Sequence, residues 1–223
     1  KQNFDSLHVD GAHIVAAAAK AAGAKRLIHI SAIGADVESE SDYASSKALG
    51  EKADNDAFEG ATVLRPSIVF GPEDDFFNRF AALARLSPAL PVIGPKTRFQ
   101  PVYVADVAKA VSACLGDDAT SGGCYELGGP SVHTFHELME MMLAEIGRDR
   151  FLVPAPFWAA SAKAFFLEHL LVPFFLPKPM LTRDQVRLLK HDNVVSGDAQ
   201  GFDALGIVPT TLNAVLPTYL HRY

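Results

Sequence analysis

Cysteine is nearly absent from this 223-residue chain, which has only Cys114 and Cys124. Two thiols cannot build a disulfide framework, and a chain of this length buries enough core to need none. A reducing compartment is therefore expected. Positive charge is scarce as well: 20 Lys and Arg face 26 Asp and Glu, for a formal net charge of -6. That balance excludes the clustered cationic surface that binding to a nucleic-acid backbone requires. No signal peptide is expected from Lys1 to His8, which is polar and lacks an apolar core. No uninterrupted apolar run is long enough to span a bilayer. The most apolar stretch, Phe151 to Leu176, is broken by Pro154, Pro156, Lys163, Glu168, His169 and Pro173. His133 and His136 have no third ligand at a recognisable spacing, so no metal is expected. No internal repeat stands out.

What is present alternates between two periods. Asn3 to Ala22 predicts a helix stopped by Gly23, and Arg26 to Ile30 a short strand. Tyr43 to Phe58 is helical again, and Ala61 to Arg65 is a strand stopped by Pro66. Strand–helix alternation with short connections implies parallel βα units, hence an α/β fold with a doubly wound parallel sheet. A domain that opens on a helix lacks the partner that helix packs on, so upstream residues are expected.

After Gly71-Pro72 the rhythm loosens. Asp74 to Leu86 reads as a helix with Glu73-Asp74-Asp75 as a charge cluster at its N-terminus, followed by a Pro-rich connection from Ser87 to Pro95. Gln100 to Val104 reads as a strand, Ala105 to Leu115 as a helix and Cys124 to Leu127 as a strand. Asp106 lies near a helix N-terminus, where capping competes with any cofactor role. Gly122-Gly123 and Gly128-Gly129 read as turns. Thr134 with Glu137 and Thr182 with Gln185 are capping-box patterns, the first opening a helix to Ile146. The stretch Phe151 to Leu176, with Trp158, Phe165, Phe166, Phe174 and Phe175, reads first as a helix packed on a substrate pocket. Its alternative is a surface that docks on a partner or a lipid interface.

One pair could carry chemistry. Tyr43 and Lys47 stand one turn apart on a helix face. A free phenol has a pKa near 10 and is a poor base at neutral pH, and a nearby ammonium favours the phenolate. The tyrosine could then exchange a proton with a carbinol or carbonyl oxygen while hydride moves to or from a nicotinamide.

The order of motifs around this pair is more specific than the pair itself. Strand Leu27 to Ser31 precedes Tyr43-x-x-x-Lys47. Then come Arg65-Pro66-Ser67-Ile68-Val69-Phe70-Gly71-Pro72, Val104-Ala105-Asp106-Val107-Ala108 and Gly201-Phe202-Asp203-Ala204-Leu205-Gly206-Ile207. The chain resembles the extended and atypical short-chain dehydrogenase/reductases nearly end to end. The strings His29-Ile30-Ser31-Ala32-Ile33-Gly34, Tyr43 to Glu51 and Phe76-Phe77-Asn78-Arg79-Phe80 are similar to the branch that includes the Rossmann-like accessory subunit of respiratory complex I.

That resemblance implies a Rossmann-like domain over 1–70 and 99–118, with a smaller, mostly helical substrate-side domain over 71–98 and 119–223. It implies Tyr43 and Lys47 as the catalytic and cofactor-binding pair, with Ser31 as the substrate-orienting hydroxyl. Pro66, Ser67 and Ile68 would lie beside the nicotinamide, and Asn78 and Arg79 would face substrate. The implied cofactor is NADP or NAD. The residues present do not choose between them, while the branch implies NADPH held as a structural group.

Two functions follow. The preferred one is a dinucleotide-holding structural or assembly subunit related to respiratory complex I, with little turnover. It would be bacterial in type and cytoplasmic, and would meet the complex or the inner membrane through Phe151 to Leu176. The alternative is an active oxidoreductase or epimerase working on a small-molecule or nucleotide-sugar carbonyl or hydroxyl. Three departures from the family pattern bear on the choice. No Gly-x-x-Gly-x-x-Gly phosphate loop occurs in these residues, Ala32 stands where the serine usually falls, and His8 replaces an asparagine.

Overall fold

The computed structural model describes residues 4–166 and 181–223. In chain order the elements begin with a π-helix at Asp5–Asp10, α1 Gly11–Ala21, β1 Ile28–Ile30, α2 Asp42–Ala57, β2 Thr62–Pro66 and β3 Val69–Phe70. They continue with α3 Phe77–Leu86, β4 Ala89–Ile93, β5 Arg98–Phe99, β6 Val102–Tyr103 and α4 Val104–Gly116. The last are β7 Cys124–Leu127, β8 His133–Thr134, α5 Phe135–Glu145, β9 Phe151–Ala155, α6 Phe157–Phe166, α7 Arg183–Leu188 and α8 Leu212–Leu220. The chain forms two compact units. One is built from the residues up to Gly71 with Gln100–Val132 and Asn193–Val215, the other from Pro72–Phe99, His133–Asp192 and Leu216–Tyr223.

The first unit is a Rossmann-like α/β layer. Its sheet has the order β1-β2-β7, parallel throughout, with Ile28 opposite Thr62 and Val63 opposite Cys124. Strand β2 is central, and Thr62, Val63 and Leu64 are all buried, as a strand covered on both faces requires. Its core joins Leu64, Val102, Ala110, Cys114, Tyr125, Leu127 and Phe202. Strand β3 pairs in parallel with β6. The helix expected over Asn3–Ala22 opens as a π-turn rather than an α-turn, and Gly23, at φ +72°, ends it.

The domain boundaries read from the sequence fall at 70, 98 and 118. The first compact unit also takes in residues 119–132 and 193–215. The reason is strand pairing: β7 lies beside β2, and Gln200 bridges to Tyr125 on β7.

The second unit holds α3, α5, α6 and α7 with two small sheets, a parallel pair β4–β9 and an antiparallel pair β5–β8. Both strands of the parallel pair depart from the sequence reading. The Pro-rich connection 87–95 contains β4, where Leu90 and Val92 are buried while Pro91 between them is exposed, a period of two. The start of the stretch read as a helix is β9. Its Phe-Leu-Val-Pro-Ala composition suits an edge strand, where proline is tolerated. From Phe157 the stretch is helical, and its remainder, with Phe174 and Phe175, lies outside the described residues. Both capping boxes form as expected, at Thr134 and Thr182. Phe76, Phe77, Phe80, Phe99 and Phe135 interlock in this unit with ring centroids 5.0–6.4 Å apart.

Asp106 does not cap its helix from outside. It is fully buried on the first turn of α4, and accepts hydrogen bonds from Lys109 Nζ at 2.8 Å, Thr210 N at 2.6 Å and Thr210 Oγ1 at 3.2 Å. Burial works to raise its pKa, but the bonds from Lys109 and Thr210 outweigh it and hold the carboxyl below the ordinary value. A depressed folded-state pKa stabilises above the unfolded value, about 3.9, and that stabilisation is lost as pH falls through the folded one. We expect the urea midpoint of the wild type to drop between about pH 5 and pH 2, and Asp106→Asn to flatten that drop. Equal slopes in the two proteins would show that the carboxylate is not linked to folding.

Candidate functional site

In an open parallel sheet, ligands bind beyond the carboxyl ends of the strands. The residues of interest in the first unit gather around those ends. Ser31 follows β1 and continues its ladder, its N–H donating to Leu64 O at 2.7 Å. Ile33 N donates likewise to Pro66 O at 3.0 Å. Pro66 closes β2, and Ser67 and Ile68 form the connection to β3. Helix α2 starts at Ser41, whose hydroxyl accepts from Ala44 N at 3.3 Å, and this cap sets Tyr43 and Lys47 on the first two turns.

Lys47 Nζ donates to Ile30 O, at the end of β1, at 3.0 Å. Burial lowers its pKa, and Glu51 one turn further on partly offsets the fall. Tyr43 is half-buried beneath two rings. His8 lies edge-on to it at 5.7 Å and Phe4 at 5.8 Å, and Phe4 stacks on His8 at 5.4 Å. The consequence differs from the sequence expectation. Burial raises the phenol's pKa rather than a lysine lowering it.

His8 is held as well as stacked. Its Nδ1 lies 2.9 Å from Ser46 Oγ, and Ser46 Oγ donates to Tyr43 O at 2.9 Å. The hydroxyl's one proton is spent on the carbonyl, so Nδ1 of His8 is the protonated donor. Burial lowers the His8 pKa, and electrostatic repulsion from Lys47 and His29 pushes in the same direction. Neutral imidazole is therefore the form that packs against Tyr43. His8 sits in the π-turn, a distortion frequent at functional sites.

Two serines at the strand ends behave differently. Ser31 is 3% exposed, and among the described residues its Oγ has no hydrogen-bond partner. Such a hydroxyl is costly unless a ligand or water meets it. Ser67 Oγ donates to Asn193, at 2.6 Å to Oδ1 and 3.0 Å to the main-chain O. Nothing in the sequence pattern marks Asn193, because it lies 126 positions from the serine it holds.

Behind α2 a charge network backs the site. Arg65, on β2, meets Glu51 through Nε at 2.8 Å and a second nitrogen at 2.5 Å, with Glu126 on β7 at 3.9 Å. The hydrogen bond to Glu51 raises the guanidinium pKa further above its already high value. His29 on β1 contacts Asp54 on α2, which ties the same helix to the sheet.

Asn78 and Arg79 belong to the other unit, on the first turn of α3. Asn78 is engaged locally: Nδ2 donates to Pro72 O at 3.1 Å and Asp74 O at 2.8 Å, and Oδ1 accepts from Arg222 at 2.8 Å. Asp74, in the charge cluster ahead of α3, accepts from Phe77 N at 2.5 Å and also takes the Tyr219 hydroxyl at 2.6 Å. His136 lies 3.5 Å from Glu140, and among the described residues no group of three or more His, Cys, Asp and Glu is placed to share a metal.

The donor set at the strand ends fits one end of a nicotinamide dinucleotide. Ser31 supplies a buried, unsatisfied hydroxyl, and an ammonium has three donors of which Lys47 uses one on Ile30.

Residues 34–165 match the RmlD substrate binding domain family. The chain is 40% identical over 206 residues to NADH dehydrogenase (ubiquinone) 1 alpha subcomplex subunit 9, mitochondrial, of Arabidopsis thaliana, covering 90% of this chain and 51% of that protein. It is 31% identical to the NADH-ubiquinone oxidoreductase 40 kDa subunit, mitochondrial, of Neurospora crassa, over 99% of this chain and 57% of that one. The chain thus spans about half the length of the curated relatives it matches. Among solved structures, dTDP-glucose 4,6-dehydratase from Bacillus anthracis in complex with NAD aligns with a TM-score of 0.69 at 17% identity, covering 99% of this chain and 68% of that one. At that identity the likeness establishes the fold.

Proposed function

Since the chain belongs to the RmlD substrate binding domain family, we propose that it is the dinucleotide-holding part of a complex I-type accessory subunit, retaining NADPH with little turnover. The observation that carries this reading is the state of the acid/base pair. Tyr43 is covered by Phe4 and His8 with its phenol pKa raised, and Lys47 spends one ammonium donor on Ile30 O. A phenol held protonated is a poor base at neutral pH but a serviceable hydrogen-bond donor, which suits binding. The relatives at 31–40% identity carry names of respiratory NADH dehydrogenase subunits, which supports a respiratory complex as the assembly.

When bound, the nicotinamide would supply hydride chemistry. The chain's own contribution is positional. Lys47 keeps donors for ribose hydroxyls, Ser31 offers its hydroxyl, and Pro66, Ser67 and Ile68 line the same end of the sheet. The first unit then holds the dinucleotide; in the second, Arg79 on α3 would meet substrate or partner, while the Asn78 amide is spent on Pro72, Asp74 and Arg222. In that second unit Phe151 is 78% and Trp158 76% exposed, a surface suited to the complex or to the face of the inner membrane. Among the described residues no helix is long and apolar enough to cross a membrane.

One observation favours the alternative, an active reductase or epimerase. The unpartnered Ser31 hydroxyl is what a substrate oxygen would need. The test separates the two. In the full-length protein, NADPH is expected to co-purify with the wild type and with Tyr43→Phe alike, and carbonyl substrates are expected to leave it unconsumed. Steady NADPH oxidation by the wild type, abolished in Tyr43→Phe, would overturn the structural reading and establish the enzymatic one.

A further inference from the structure

The three loops that leave the carboxyl ends of β1, β2 and β7 come from separate parts of the chain, and one distant segment ties them together. Asn193 Nδ2 donates to Ile33 O at 3.2 Å, in the loop after β1. Its Oδ1 and its main-chain O both accept from Ser67 Oγ, in the loop after β2. The same main-chain O also accepts from Gln100 N at 3.1 Å. Gln100 passes the link on. Its Oε1 accepts from Val195 N at 3.0 Å, and its Nε2 donates to Gly129 O at 2.7 Å, in the loop after β7.

The packing around this clasp leaves no slack. A Cβ placed on Gly128 would lie 2.5 Å from the Gln100 side chain and 2.7 Å from that of Val195, and one on Gly129 would lie 2.1 Å from Pro101 O. Only glycines let the β7 loop run this close to the segment that carries the clasp.

From these contacts we infer that Asn193 is a positioning residue for the nicotinamide end of the site, setting the spacing between the Ser31 loop and the Ser67 loop. This rests on the dinucleotide-binding reading above. It also assigns unequal roles to the two serines. Ser67 has one proton, and both its short contacts are acceptors on Asn193, so its hydroxyl has no donor left for a ligand. Ser31 keeps its donor. Ser67 shapes the pocket, while Ser31 is the hydroxyl that addresses its occupant. The amide is suited to the task because it donates on one side and accepts on the other. Aspartate at 193 would still accept from Ser67 but would face the Ile33 carbonyl with a like-signed oxygen.

The experiment uses the full-length protein and NADPH as the probe. Dissociation constants are measured by fluorescence for wild type, Asn193→Ala, Ser67→Ala and the double variant. Amide hydrogen exchange is followed at residues 31–33 and at 67 and 68. Thr210→Val, which loosens the Asp106 clasp elsewhere in the same unit, serves as the stability control. Asn193→Ala is expected to weaken NADPH binding about tenfold and to speed exchange in both loops, as loss of one or two partly buried hydrogen bonds allows. Ser67→Ala on top of it should add little, because the two share one bond. Thr210→Val should lower stability while leaving the NADPH constant in place. Unchanged exchange in both loops, or equal weakening in Asn193→Ala and Thr210→Val, would overturn the positioning role. A wild type that does not bind NADPH at all would sink the dinucleotide reading, and the loop exchange would still decide on Asn193.

Discussion

Replacing Gly50 with alanine is expected to destabilise the protein by about 2–3 kcal/mol, although alanine is the better helix former by about 1 kcal/mol. The sign is set by what Gly50 touches. A Cβ there would lie 2.2 Å from the main-chain oxygen of His8 and 3.1 Å from its carbonyl carbon. Neither atom is the end of a flexible side chain, so the π-turn or α2 has to move as a body. Gly50 is thus what lets the turn bearing His8 lie directly on the helix bearing Tyr43 and Lys47. Displacing the turn breaks the His8–Ser46 bond and lifts Phe4 and His8 from Tyr43. Burial raises the Tyr43 phenol, so uncovering it should bring its titration back down toward about 10. Both effects are measurable, the first by urea unfolding and the second by tyrosinate absorbance with Tyr43→Phe as the blank. A more stable protein with an unmoved Tyr43 titration would show that the turn does not rest on α2.

The contrast between Gly50 and Tyr43 shows what was legible in the sequence. Local rules found α2, β2, β7 and both capping boxes within a residue or a few, because caps, proline stops and apolar strands act through near neighbours. The same rules placed Tyr43 and Lys47 on one helix face. They failed at β4 and β9. Each of these strands contains a proline and finds its pairing partner about sixty positions away in the chain, so local composition read as a Pro-rich connection in one case and a helix in the other.

The site's electrostatics were the least legible part. The spacing of Tyr43 and Lys47 suggested an activated phenol, but the π-turn covers the ring and Ile30 O takes one of the ammonium's donors, and neither contact follows from spacing. His8 was visible only as a departure from the family's asparagine. Asn193 carried no local signal, since its role exists only where loops 126 and 160 positions distant converge. Long-range polar contacts of this kind are decided by the finished packing, which is why sequence placed the site's backbone better than its chemistry.

The second large effect lies in the charge network, and Glu51→Ala is expected to cost about 3 kcal/mol. Arg65 is only 26% exposed in its side chain, and Glu51 and Glu126 are each 10% exposed. Glu51 grips the guanidinium with both oxygens, whereas Glu126 stands at 3.9 Å and is partly committed to Ser196 N. Removing Glu51 leaves a half-buried cation with one distant partner, which is more damaging than the pair's net worth when intact. Glu51→Gln keeps an acceptor for one guanidinium nitrogen and should cost less. The change also reaches the site. Glu51 opposes the burial that lowers the Lys47 pKa, so losing its charge should lower that amine further. Lys47 would then react with an amine-directed reagent at a lower pH than in the wild type, read by mass spectrometry of the labelled peptide. A stability loss below about 0.5 kcal/mol would place the pair with exposed surface bridges. An unshifted labelling profile would separate Glu51 from Lys47 and confine it to holding α2 on the sheet.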